Sequence, residues 1–161
     1  WDGASWGVLD GLVEKGLLPN LVRLRSEGAW GTLTTTCPSV TGPAWFSLAT
    51  GMNPGKTGVF DFRPLVRTGS DYALQPISSS FLRRKAYWDV LSRCSIEVGV
   101  FAYPVMHPPY PVNAFMVTGV GLQEATFAYP TELVDRIEKI TGGYEPSVNY
   151  HVEKYDDINL L

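Results

Sequence analysis

Apolar residues along this chain repeatedly change period, from helical spacing to the short β-rich runs of strands, and the changes fall at glycines and prolines. A chain patterned this way is predicted to fold as an α/β sheet with helices on its faces, where ligands collect at the carboxyl ends of strands. Val8, Leu9, Leu12 and Val13 fall at helical spacing after Ser5, an N-cap candidate, and Gly16 supplies a left-handed stop. Pro19 suits the first turn of a second helix that carries Leu21, Val22 and Leu24 on one face and ends at Gly28. Residues 29–36, rich in threonine with Trp30 and Leu33, are predicted to be a strand. Residues 85–93 then read as a helix, 96–103 as a buried strand ended by Pro104, 115–120 as another strand and 130–140 as an amphipathic helix. The stretch from about 62 to 84 mixes Pro, Gly, Ser and charges and is expected to be a long surface excursion.

Composition narrows the function classes. A chain of 161 residues hides roughly 70% of its unfolded surface, so a core is expected without disulfide support. Thirteen Lys+Arg against sixteen Asp+Glu give a net charge of -3, which offers no broad basic surface for a nucleic-acid polymer. Every apolar run is broken by Gly, Pro or Arg well short of the roughly 20 residues of a membrane span, so no membrane segment is expected. Cys37 and Cys94 are too few for a disulfide scaffold and favour a reduced, cytoplasmic setting.

The chemistry concentrates in residues 38–55. Thr41 stands at a predicted N-cap, Gly42 and Pro43 fit the first turn, residues 45–50 form a short apolar helix, and Gly51 ends it. A hydroxyl is thereby mounted where free backbone N–H groups and the helix dipole favour an oxyanion or phosphate. Threonine is a weak nucleophile at neutral pH and needs a base or a metal, so from this segment alone a plain helix cap is the commoner role for Thr41. Asp2-Gly3 is what the end of a preceding strand would present, and its carboxylate could share a metal with Thr41; a turn or capping role is the alternative.

The order and spacing of Trp1-Asp2-Gly3-Ala4, Gly16-Leu17-Leu18-Pro19-Asn20-Leu21, Gly28-Ala29-Trp30-Gly31, Thr41-Gly42-Pro43-Ala44-Trp45 and Asn53-Pro54-Gly55-Lys56 resemble the amino-terminal part of the alkaline phosphatase superfamily. Within it, the chain is most similar to the type I phosphodiesterase/nucleotide pyrophosphatase group and its phosphohydrolase/phosphomutase branch. The later block Val112-Asn113-Ala114-Phe115-Met116-Val117-Thr118-Gly119 extends the likeness over nearly all of residues 1–161. The resemblance implies a three-layer α/β fold with helices on both faces, incomplete here. It implies hydrolysis of small phosphate mono- or diesters, with two divalent metal ions, commonly zinc and, in mutase relatives, manganese. On this resemblance Asp2 is a metal ligand. Thr41 is both metal ligand and the nucleophile that forms a phosphothreonine, and Gly42 offers its N–H to the phosphoryl oxygens. The remaining ligands, including an Asp-His pair, would come from later in the parent chain.

Departures from the pattern are specific. There is no Asp-His dipeptide, and His107 and His151 are isolated, so both read as surface or packing residues. Thr57 stands where relatives carry a histidine, and Phe62 where nucleotide pyrophosphatases place a phosphate-binding asparagine. Arg63 is the nearest replacement clamp, since its forked donors suit two phosphoryl oxygens; a solvated loop residue is the alternative. Asp61 could instead pair with Arg63 or Arg67. Residues 51–57 fail as a phosphate-binding P-loop, because the first required glycine is Thr50 and the preceding element is a helix. A phosphomutase and a non-catalytic binding module, with Trp6, Trp30, Trp45 and Trp88 all in the core, remain as alternatives. The chain opens on Trp1 and reads as a piece of a longer protein, so these residues alone are expected to be inactive.

Overall fold

The protein is described by a computed structural model over residues 2–119 and 126–144. Two short helices come first, α1 (Trp6–Glu14) and α2 (Pro19–Glu27). Pro19 sits at the start of α2 as predicted, and Gly16 adopts φ +73 between the two. Neither helix contains a fully buried residue. They are clamped at the surface by Arg25, whose guanidinium lies 3.8 Å from the Trp30 ring centroid and 4.8 Å from that of Trp6. Arg25 also pairs with Asp10 at 2.8 Å. The expectation that all four tryptophans are core is corrected: Trp88 is core, Trp6 and Trp45 are half-buried, and Trp30 is exposed, its ring stacked on the Arg25 cation.

Residues 29–36 do not form the predicted strand. Most of them are exposed, Leu33 among them, and no strand lies beside them among the described residues. Their β-branched composition has no neighbouring ladder to act on, and strand propensity is expressed only against a partner. The converse correction falls on the excursion at 62–84, where β1 (Leu65–Thr68) and β2 (Asp71–Leu74) pair as an antiparallel hairpin turning through Gly69. A 3-10 turn follows at Ser79–Phe81.

The main sheet has the order β3 (Val98–Tyr103), β4 (Ala114–Thr118), β5 (Ala128–Tyr129). β3 and β4 are parallel, with Val98 opposite Ala114 and Val100 opposite Met116, while β5 runs antiparallel to β4. Successive side chains of β4 point to opposite faces. Met116 joins a core of Phe46, Ala49, Val59, Ile77, Trp88 and Met106. Val117 joins a second cluster with Phe127, Ala128 and the partly buried Leu133, Val134 and Ile137. The first cluster is built by α3 (Thr41–Thr50) and α5 (Tyr87–Arg93), the second by α6 (Glu132–Thr141), which gives the chain its α/β character. Burying a ring such as Trp88, 1% exposed, contributes about 3 kcal/mol.

Two hydrogen bonds brace this core, the first of them to the helix that carries Thr41. The Tyr103 hydroxyl donates to the Trp45 carbonyl at 2.8 Å, and Trp88 Nε1 donates to the Tyr110 hydroxyl at 2.6 Å. Among the described residues, no helix is long and apolar enough to cross a membrane.

Candidate active site

Val40 is extended (φ -124, ψ 144) and serves as the N-cap, so α3 begins at Thr41, one residue earlier than the sequence suggested, and Thr41 is its first helical residue rather than its cap. The shift changes what its hydroxyl does. It makes no cap and donates instead to Asp2 Oδ2 at 3.2 Å. Asp2 reaches this position from the turn before α1, where Gly3 takes φ +70. Two residues 39 apart in sequence are therefore adjacent.

The backbone adds donors. Ala44 N–H is bound to the Val40 carbonyl at 3.1 Å and Pro43 has no N–H. This leaves the Thr41 and Gly42 amides as the helix donors with no protein acceptor among the described residues. At the other end of α3, Gly51 takes φ 67 as the predicted left-handed stop. Gly42 is buried, and the Ile77 side chain and the Asp61 backbone pack against it.

Other predicted residues stand apart. Arg63 is exposed and makes no hydrogen bond or ion pair among the described residues. It follows Asp61 by two positions, and so belongs to the segment packed on Gly42. The proposed Asp61 pairing with Arg63 or Arg67 does not occur. Asp61 Oδ1 accepts the Phe62 N–H at 2.6 Å, and Arg67 Nε donates to the Gly69 carbonyl at 3.1 Å. His107 is not a surface residue but a buried one, 2% exposed, with its carbonyl accepting the Ser79 N–H at 2.8 Å. His151 lies outside the described residues. Thr57 is buried in the short helix α4 (Pro54–Thr57), whose preceding element is a helix, as the rejection of a P-loop requires.

Sequence reasoning missed two contacts here. Nothing in the local sequence marks Ile77 as the residue that closes over Gly42. Gly58 was equally silent: it takes φ +75 and receives the Arg83 guanidinium.

As a donor set for a divalent ion, the Asp2 carboxylate and Thr41 hydroxyl are two hard oxygens side by side, the chemistry that suits such a cation. They fit one part of a site, and no group of three or more His, Cys, Asp or Glu side chains capable of completing it occurs among the described residues.

The structure thus brings a hydroxyl and a carboxylate together at the N-terminus of a helix in an α/β setting. The family model for type I phosphodiesterase / nucleotide pyrophosphatase matches residues 1–159, and the chain belongs to that family. Its members are phosphoester hydrolases and are generally dependent on divalent metals. No curated protein and no solved structure gives a significant match.

Proposed function

We propose that the protein hydrolyses small phosphate mono- or diesters, with Thr41 as the nucleophile and a phosphothreonine as the intermediate. The observation that carries this reading is the 3.2 Å hydrogen bond from the Thr41 hydroxyl to Asp2 at the start of α3. With its proton directed at Asp2 Oδ2, Thr41 Oγ1 keeps its lone pairs for phosphorus. Attack forms the Oγ1–P bond as the hydroxyl proton leaves by way of Asp2 to solvent, and breaks the bond from phosphorus to the ester oxygen, which takes up a proton from solvent and leaves as an alcohol. Water then displaces Oγ1 from phosphorus, and the hydroxyl recovers its proton. The Gly42 N–H is aimed from the helix terminus at the phosphoryl oxygens, and the helix dipole favours their charge in both steps. Arg63 supplies the clamp that an asparagine provides in related sequences.

Asp2 and Thr41 would hold one of two divalent ions, zinc or manganese. Bound there, such an ion lowers the pKa of the hydroxyl and offsets phosphoryl charge. The parallel β3–β4 pair, with helices packed from two sides, suits a larger three-layer sheet of the alkaline phosphatase type. The test is to mix the full-length protein and a divalent salt with an aryl phosphate ester, quench, and map phosphate by mass spectrometry. Phosphate on Thr41 is expected; turnover with the label on another residue, or with Thr41 replaced by alanine, would overturn the assignment.

A further inference from the structure

Arg83, Arg84 and Lys85 are consecutive, exposed cations between the 3-10 turn and α5, on a chain whose formal charge is -3. None of the three forms an ion pair or hydrogen bond among the described residues, where the ion pair that does form is Arg25 with Asp10. They line an open cleft of about 490 Å³ together with Ser80, Tyr110 and Asp89. Asp89 is the one carboxylate on that wall and is already engaged. Its Oδ2 accepts the Ala86 N–H at 2.8 Å. The cleft thus carries three cations against a single occupied acid.

Arg83 also lies against the backbone at Gly58. Its guanidinium lies so close to Gly58 that a β-carbon there would stand 3.1 Å from Cζ and 3.2 Å from Nη1. A guanidinium seated on bare backbone, with no carboxylate to explain its position, keeps its forked donors for a ligand. Like charges lining one cleft repel one another, and an anion bound among them relieves that repulsion. Planar guanidinium donors match phosphoryl oxygens in pairs. The cleft's volume of about 490 Å³ is sufficient for a small phosphorylated molecule.

We propose that this cleft is a second anion site, distinct from the Thr41 centre, for a small molecule bearing two or more phosphoryl groups. The proposal does not depend on the catalytic role of Thr41. Inorganic pyrophosphate is the probe, titrated calorimetrically into the full-length protein in chelator at constant ionic strength. Saturable binding is expected, weakened at least tenfold in the Arg84→Gln/Lys85→Gln variant and unchanged in Asp2→Asn/Thr41→Ala. Near-UV circular dichroism confirms that the variants keep the fold. Absence of saturable binding, equal affinity in the Arg84/Lys85 variant, or loss only in the Asp2/Thr41 variant would overturn the site. A poly-glutamate peptide that binds more tightly than pyrophosphate would overturn the ligand class. In the metal-supplied protein, inhibition of ester hydrolysis by pyrophosphate that is weakened in the Arg84→Gln/Lys85→Gln variant is expected, and inhibition that is purely competitive and unchanged in that variant would assign the anion to the Thr41 centre and overturn the second site.

Discussion

Ile77 Cδ1 lies 2.7 Å from the point where a β-carbon on Gly42 would stand. Real β-carbons do not tolerate so short a contact, and Ile77 is itself buried, 4% exposed, so it has little room to withdraw. The glycine beside Thr41 is required by this approach rather than by backbone torsion. Gly42→Ala is expected to destabilise the protein by about 1–3 kcal/mol, the usual cost of overpacking, and to lower turnover with it. Ile77→Val removes the clashing atom and is expected to restore part of the loss in the double variant, read by urea denaturation. Wild-type stability in Gly42→Ala alone would show that the wall yields.

Thr41→Ala is expected to lower kcat by several orders of magnitude, since no other hydroxyl among the described residues hydrogen-bonds Asp2. Thr41→Ser keeps the nucleophilic oxygen and is expected to retain part of the rate. Steady-state kinetics on an aryl phosphate ester decides the matter, and an alanine variant with full activity would reduce Thr41 to a helix-terminal residue.

Arg63 is exposed and without a protein partner among the described residues, on the segment that packs against Gly42. A charge-assisted contact to a phosphoryl oxygen is worth about 1.5–3 kcal/mol, so Arg63→Ala should reduce kcat/KM roughly tenfold to a hundredfold. Unaltered kinetics would return Arg63 to the solvated surface.

Burial raises the pKa of the Tyr103 phenol well above its ordinary value, and the neighbouring Tyr87 pushes the same way. Tyr110 is raised likewise, chiefly by burial. In the unfolded chain these phenols release protons near pH 10, whereas the folded state retains them. Stability is therefore unaffected by these groups below about pH 10 and falls as pH rises beyond it. Tyr103→Phe should shallow that alkaline decline while costing about 1 kcal/mol at neutral pH for the lost bond to the Trp45 carbonyl. Denaturant midpoints that stay constant through the alkaline window would contradict the assignment.

Features encoded within a few neighbouring residues were legible in the sequence. Pro19 opens α2, Gly51 closes α3, and the apolar run before Pro104 is β3, because caps and stops act through bonds and torsions spanning one turn of chain. The motif order also pointed to the family, and it paired Asp2 with Thr41 before any distance was known. Features that depend on a distant partner were decided only by the tertiary structure. Residues 29–36 have strand composition but no neighbouring strand, whereas 65–74, expected to wander, found each other across Gly69 and became a hairpin. Trp30 carries the same apolar surface as Trp88, yet one stacks on Arg25 at the surface and the other fills the core. The contacts of Ile77 with Gly42 and of Arg83 with Gly58 join residues 35 and 25 positions apart. Local preference sets which elements a segment can form; burial and pairing across such separations, which no short window of sequence contains, select among them.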